Sequence, residues 1–114
     1  MTGYVQVTTT AGDRETAQRI ATELVDRRLA ACVQVLGPMQ STFRWRGAIE
    51  RAEEWLCVAK CRADRFDAVE AAVTELHPYE TPELIATPII ETSAGYGRWL
   101  HDETRDGEPP ERGA

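Results

Sequence analysis

The chain switches between two hydrophobic periods. Residues 4–9 are rich in Val and Thr and read as a strand. Gly12 and Asp13 punctuate it, and Asp13 suits a helix N-cap because its carboxylate can accept from free first-turn N–H groups. Ala17, Ile20, Ala21, Leu24 and Val25 then fall at i, i+3, i+4, i+7 and i+8, which is one face of a helix. Arg27 and Arg28 are expected in its last turn, where positive charge suits the dipole. Residues 31–36 form a nearly continuous apolar run, broken only by Gln34, and read as a second strand. Gly37 and Pro38 should break or bulge it, and residues 41–45 resume strand character with Phe43 and Trp45 on one side. Arg46-Gly47 is a turn signal, and residues 54–61 are the next strand. Residues 31–61 thus predict one long, kinked hairpin. Its first arm would reach ~50 Å at ~3.3 Å per residue, against ~17–20 Å for an ordinary strand. Such an arm overshoots its own sheet and invites pairing with another subunit.

A second helix is expected after Asp64, read as its cap, with Phe66, Val69, Ala72, Val73 and Leu76 at helical spacing and Pro78 as the stop. Residues 84–91 read as the fourth strand. Pro88 cannot donate to a ladder, so this strand belongs at an edge or carries a bulge. Tyr96, Trp99 and Leu100 predict a short closing helix ending near Glu103. Residues 1–104 read as one domain. Residues 105–114 hold Gly, Pro and charges with no apolar residue but the final Ala, and are expected to be a disordered tail. The order β-α-β-β-α-β plus a helix predicts an α+β, ferredoxin-like fold: a four-stranded antiparallel sheet, two helices on one face, and an extra short C-terminal helix.

Composition narrows the function. The 114 residues are 42% apolar and 28% charged, enough for one core with little surplus. A net charge of −6 argues against a phosphate-backbone partner, so no nucleic acid is expected. The start lacks the pattern of a signal peptide, and no apolar run approaches the ~20 residues of a membrane span. No membrane partner and a cytoplasmic location are therefore expected. The three cysteines, Cys32, Cys57 and Cys61, close no disulfide framework, which agrees with a reducing compartment.

The chemistry-bearing residues are few. His77-Pro78-Tyr79-Glu80-Thr81-Pro82-Glu83 presents an imidazole, a phenol and two carboxylates between two rigid prolines. It reads either as a preorganised polar site or as a rigid loop that ends one element and aims the next. Cys32 could offer a thiolate to copper or fill a core as a small hydrophobe. Cys57 and Cys61, four apart in a strand, lie ~13 Å from each other and cannot share an ion. Trp45, Trp55, Trp99, Phe43 and Tyr79 could line a pocket or fill a subunit seam. No phosphate loop, HExxH or GxSxG motif occurs, and no acid, base and nucleophile set is evident, so no enzyme is expected.

These residues resemble the CutA divalent-cation tolerance family over positions 4 to about 102. The resemblance rests on the stretch 17–32 and its continuation Leu29-Ala30-Ala31-Cys32-Val33, on Phe43-Arg44-Trp45-Arg46-Gly47-Ala48-Ile49-Glu50, and on Glu54 and Lys60. It rests most of all on residues 77–85, and on Tyr96 and Trp99 as a closing Tyr-x-x-Trp. Phe43 stands where the family commonly has Tyr, which removes a hydroxyl. The resemblance implies a tight homotrimer with hairpins paired across subunits, and a link to tolerance of copper or another divalent cation. It implies Cys32, His77 and Glu80 as candidate metal residues, and Trp45, Tyr79, Glu83 and Trp99 at clefts between subunits. The alternative it leaves open is a signalling or adaptor trimer, similar to the PII regulators, with a small ligand or protein partner at those clefts.

Overall fold

The computed structural model describes residues 2–105. Of the expected tail, 105–114, all but Arg105 lies outside the described residues. The elements are β1 (Tyr4–Ala11), α1 (Arg14–Asp26), β2 (Ala30–Trp45), β3 (Ala48–Arg62), α2 (Phe66–Leu76), β4 (Ile85–Ile89) and α3 (Ala94–Glu103). The four strands form one antiparallel sheet in the order β2-β3-β1-β4, as the ferredoxin-like reading requires.

Side-chain alternation divides the sheet into two faces. Val7 on β1 lies opposite Ala59 on β3, which lies opposite Val33 on β2. Val7 and Ala59 join Ile20 and Leu24 of α1 and Val69, Ala72 and Val73 of α2 in one buried cluster, with Val33 packed against it. Both long helices therefore cover this face. The other face carries Tyr4, Gln6 and Thr8 of β1, Cys32 and Gln34 of β2, and Val58 and Lys60 of β3. At one end of it α3 approaches Tyr4, whose hydroxyl lies 3.5 Å from His101 Nδ1. The rest of it is uncovered, and Leu36 and Ile85 are half exposed.

Local chemistry explains most boundaries. Asp13 caps α1 by accepting from the Thr16 N–H at 2.7 Å. The helix ends at Asp26, two residues earlier than the sequence suggests. Arg27 is its C-cap and Arg28 takes the left-handed conformation at φ 61°. Arg28 N–H donates to Val25 O and Leu29 N–H to Leu24 O, closing a Schellman motif that inserts Leu29 into the core. The arginines therefore act through side chains: Arg27 reaches Glu23 and Glu75, and Arg28 reaches the carbonyls of Asp102 and Glu103. The expected Asp64 cap is not made. A 3-10 turn over Ala63–Arg65 precedes α2, and Asp64 instead accepts from Arg62 Nε and Nη2, at 3.0 and 2.7 Å. A bidentate Arg–carboxylate pair outcompetes a single N–H bond. At the far end His77 is extended, ψ 133°, as a residue before proline must be, and α2 stops. Strand β4 is shorter than the pattern suggested and, with Pro88, lies at the sheet edge.

The hairpin is one continuous ribbon. β2 absorbs Gly37 and Pro38 as a register shift between Leu36 and Met39, at a cis peptide bond. The bulge is roofed by Trp55, whose ring would lie 2.7 Å from any Cβ at position 37. Arg46 and Gly47, at φ 50° and 84°, form the two-residue turn whose twist suits a hairpin. β1 pairs with β3 only as far as Ala11 opposite Trp55. Beyond that point the two arms pair only with each other, and the molecule is 52 Å long against 29 and 23 Å across.

Candidate functional site

The loop after α2 returns to the sheet across the end of β1, and His77 anchors it there. Its ring is buried, with Nε2 donating to the Thr10 carbonyl at 2.6 Å and Nδ1 accepting from the Tyr79 N–H at 3.1 Å. Those two bonds select the neutral tautomer with its proton on Nε2. They also occupy both nitrogens, so the ring is a bracket for Tyr79 and has no lone pair left for a metal.

Tyr79 packs on the imidazole with ring centroids 4.5 Å apart and donates its hydroxyl to Glu54 Oε2 at 3.2 Å. Gly12 lies beneath it, where a Cβ would stand 3.0 Å from the hydroxyl. Burial first, then the charges of Glu54 and Asp13, hold the phenol above its ordinary value, so it remains a hydrogen-bond donor at neutral pH.

The loop and the hairpin arm enclose a cleft of about 870 Å³, walled by Phe43 and Trp45 on one side and by Tyr79, Glu80 and Glu83 on the other. Glu50 and Glu54 form its floor on β3. Register explains this assembly. Phe43 lies opposite Glu50 and Met39 opposite Glu54, so Phe43, Trp45, Glu50 and Glu54 all rise from one face of the ribbon. The lining contains four carboxylates and no Lys or Arg.

The sequence-derived candidates divide. Trp45, Tyr79, Glu80 and Glu83 share this cleft, with His77 directly behind it. Trp99 does not join them; it stacks on Tyr96 in α3, with centroids 5.5 Å apart. Cys32 is also elsewhere. It pairs in register with Lys60 at the α3 end of the sheet, beside the Tyr96 hydroxyl, whose proton is held more tightly by burial and by that thiol. One chain thus does not bring Cys32, His77 and Glu80 together, and among the described residues no three His, Cys, Asp or Glu side chains converge on a point that could hold a metal. Cys57 and Cys61 are buried, and burial pushes their thiols up to about 11 and about 12, which keeps them protonated. Glu54 is the residue that pattern reading passes over. It abuts the apolar run Trp55-Leu56-Cys57-Val58, where two-residue alternation gives no facing. Its offset of two and four from Ala52 and Glu50 was the available signal.

The comparisons agree with this architecture. The sequence profile described as CutA1 divalent ion tolerance protein matches residues 5–103. A divalent-cation tolerance protein CutA of Thermus thermophilus is 38% identical over 95 residues, covering 83% of this chain and 92% of the relative. Protein CutA of Mus musculus is 35% identical over 95 residues, covering 83% of this chain, which spans only 54% of that longer relative. The crystal structure of CutA from Xylella fastidiosa superposes with a TM-score of 0.87 at 34% identity, over 90% of this chain and 99% of that one. A profile match over nearly the whole described chain, identity above 30% and the same fold have one reading: the chain belongs to the CutA1 divalent ion tolerance family.

Proposed function

We propose that this protein serves divalent-cation tolerance in the cytoplasm as a non-enzymatic homotrimer that takes up copper or another divalent cation. The hairpin arm carries this reading. Past Trp55 it is a two-stranded ribbon with Phe43, Trp45 and Ile49 exposed at 42, 50 and 60%. A two-stranded ribbon is marginal in water and needs a third strand or a packed face. Sister copies, related by closed symmetry, would supply it. The uncovered sheet face with Leu36 and Ile85 adds apolar surface of the same kind. Among the described residues no helix is long and apolar enough to cross a membrane.

The donors bear on the metal. A soft ion such as Cu(I) prefers thiolate, and Cys32 is the thiol that is neither fully buried nor held in the helix-side core. Since among the described residues of one chain it joins no group of three His, Cys, Asp or Glu side chains, the cation reading depends on sister copies contributing ligands. Two measurements test the proposal. Sedimentation of the full chain should give a trimer at micromolar concentration, and a stable folded monomer would refute the assembly. Copper titration should lose stoichiometry or affinity in Cys32→Ala, and identical isotherms would remove Cys32 from the site. The bracketed His77, without a free nitrogen, supports a non-catalytic loop.

A further inference from the structure

The hairpin ribbon past Trp55 has two chemically different faces, and strand alternation assigns its residues between them. Phe43 lies opposite Glu50 and Met39 opposite Glu54, so one face carries Phe43, Trp45, Glu50 and Glu54. Thr42 lies opposite Arg51 and Arg44 opposite Ile49, so the other carries Arg44, Ile49 and Arg51, with Glu53 nearer the sheet. Arg44 and Arg51 are diagonal neighbours, ~7–8 Å apart along such a ribbon, and like charges at that spacing repel. Among the described residues no carboxylate pairs with either: the ion pairs are made by Arg27, Arg28 and Arg62. Arg14 and Arg46 lie over the rings of Trp55 and Trp45 instead. The acidic face has the opposite deficit. Glu54 is 8% exposed, and the bond it receives is from a neutral phenol, Tyr79. A carboxylate so far removed from water ordinarily has a cation or several donors beside it.

We infer that the two faces meet in successive copies of this chain. The basic face of one arm seats in the cleft of the next subunit, with its guanidinium groups against Glu50 and Glu54 and Ile49 against the Phe43 and Trp45 rings. This pairing rests on the homotrimer proposed above and specifies which faces meet in it. Contact between two different faces is heterologous and generates a ring or a filament, whereas packing a face on its own copy generates a twofold dimer. Twofold packing is penalised here, because it would set Glu50 and Glu54, or Arg44 and Arg51, against their own copies. The apolar surfaces match as well: Phe43 and Trp45 are exposed on the acidic face and Ile49 on the basic one. Arginine suits both partners, since a guanidinium forks onto carboxylates and stacks on aromatic rings. Arg46 already does the latter, 5.5 Å from the Trp45 centroid. The cleft is thus one site built from two chains, incomplete until Arg44 and Arg51 of the partner subunit enter it. The charge that the single chain leaves missing beside Glu54 comes from there.

The test uses the full chain. Sedimentation gives the assembly. Subunit exchange between isotope-labelled and unlabelled trimers, followed by native mass spectrometry, gives the rate at which it opens, and paired interface charges act mainly on that rate. Arg51→Glu and Glu50→Arg each set like charges against one another and should each speed exchange at least about 10-fold. Combining the two in one chain restores complementarity and should bring exchange back to within about threefold of the wild type. Arg51→Gln, which only removes a charge, should speed exchange severalfold and keeps the test valid if a reversed chain does not fold. A wild-type chain that sediments as a folded monomer or dimer would overturn the trimer and this interface together. A wild-type trimer whose exchange is unchanged in all the variants would overturn the face assignment alone. So would a combined variant that exchanges no more slowly than the faster single one.

Discussion

His77 provides the sharpest test of how the site loop is held. Substituting His77→Ala removes a buried ring, leaves the Thr10 carbonyl without its donor and leaves the Tyr79 N–H without its acceptor. An intramolecular hydrogen bond contributes ~1 kcal/mol net, and an orphaned buried group costs ~1–3 kcal/mol. Thr10 is 5% exposed, so its carbonyl belongs in the costly class, while the Tyr79 amide sits on a loop that can turn to water. The sum is about 2–4 kcal/mol of destabilisation. The assay is urea unfolding at fixed protomer concentration in excess chelator, because assembly and metal both shift apparent stability by mass action. His101→Ala is the control, since that ring is exposed and its hydrogen-bond approach among the described residues is the 3.5 Å one of Tyr4; a change within about 0.5 kcal/mol is expected. Equal effects from the two variants would refute the bracket. A loss from His77→Ala that appears only when metal is added would refute it differently, by making the ring a ligand.

Three further outcomes follow from the same geometry. Leu24→Ala at 1% exposure should cost about 2–5 kcal/mol, whereas Val25→Ala at 43% should be near neutral in urea unfolding of the same assembly; similar losses would mean the helix face is misassigned. Iodoacetamide at pH 8 should label the native chain once, at Cys32, because burial keeps Cys57 and Cys61 protonated and inaccessible; mass spectrometry finding two or three labels on folded protein would contradict this. The Asp13 carboxyl is held below its ordinary 3.8 by the backbone and side-chain bonds from Thr16, so it favours folding above that value and loses the contribution as pH falls below it. Asp13→Asn, which keeps the cap, should flatten stability against pH in that acid range; an unchanged acid profile would show that the carboxylate bonds contribute nothing.

Much of this protein is decided along the chain itself. Apolar spacing settles the order of elements because alternation of two and repetition near 3.6 are properties of neighbouring residues, as Ile20 and Leu24 on α1 and Val69 and Val73 on α2 illustrate. Arg46-Gly47 sets the hairpin turn through backbone conformation alone, and Pro88 keeps β4 at an edge by lacking a donor. Tertiary structure decides wherever one group has competing partners. Asp64 could have capped a helix, but Arg62 offered it two bonds; Arg28 left the helix because Leu29 had a place in the core. The cleft depends on the same kind of decision. Tertiary pairing between residues twenty-five or more positions apart brings Glu54 beneath Tyr79 and separates Cys32 from His77. No local pattern encodes it, because it is chosen by what the sheet's two faces can bury.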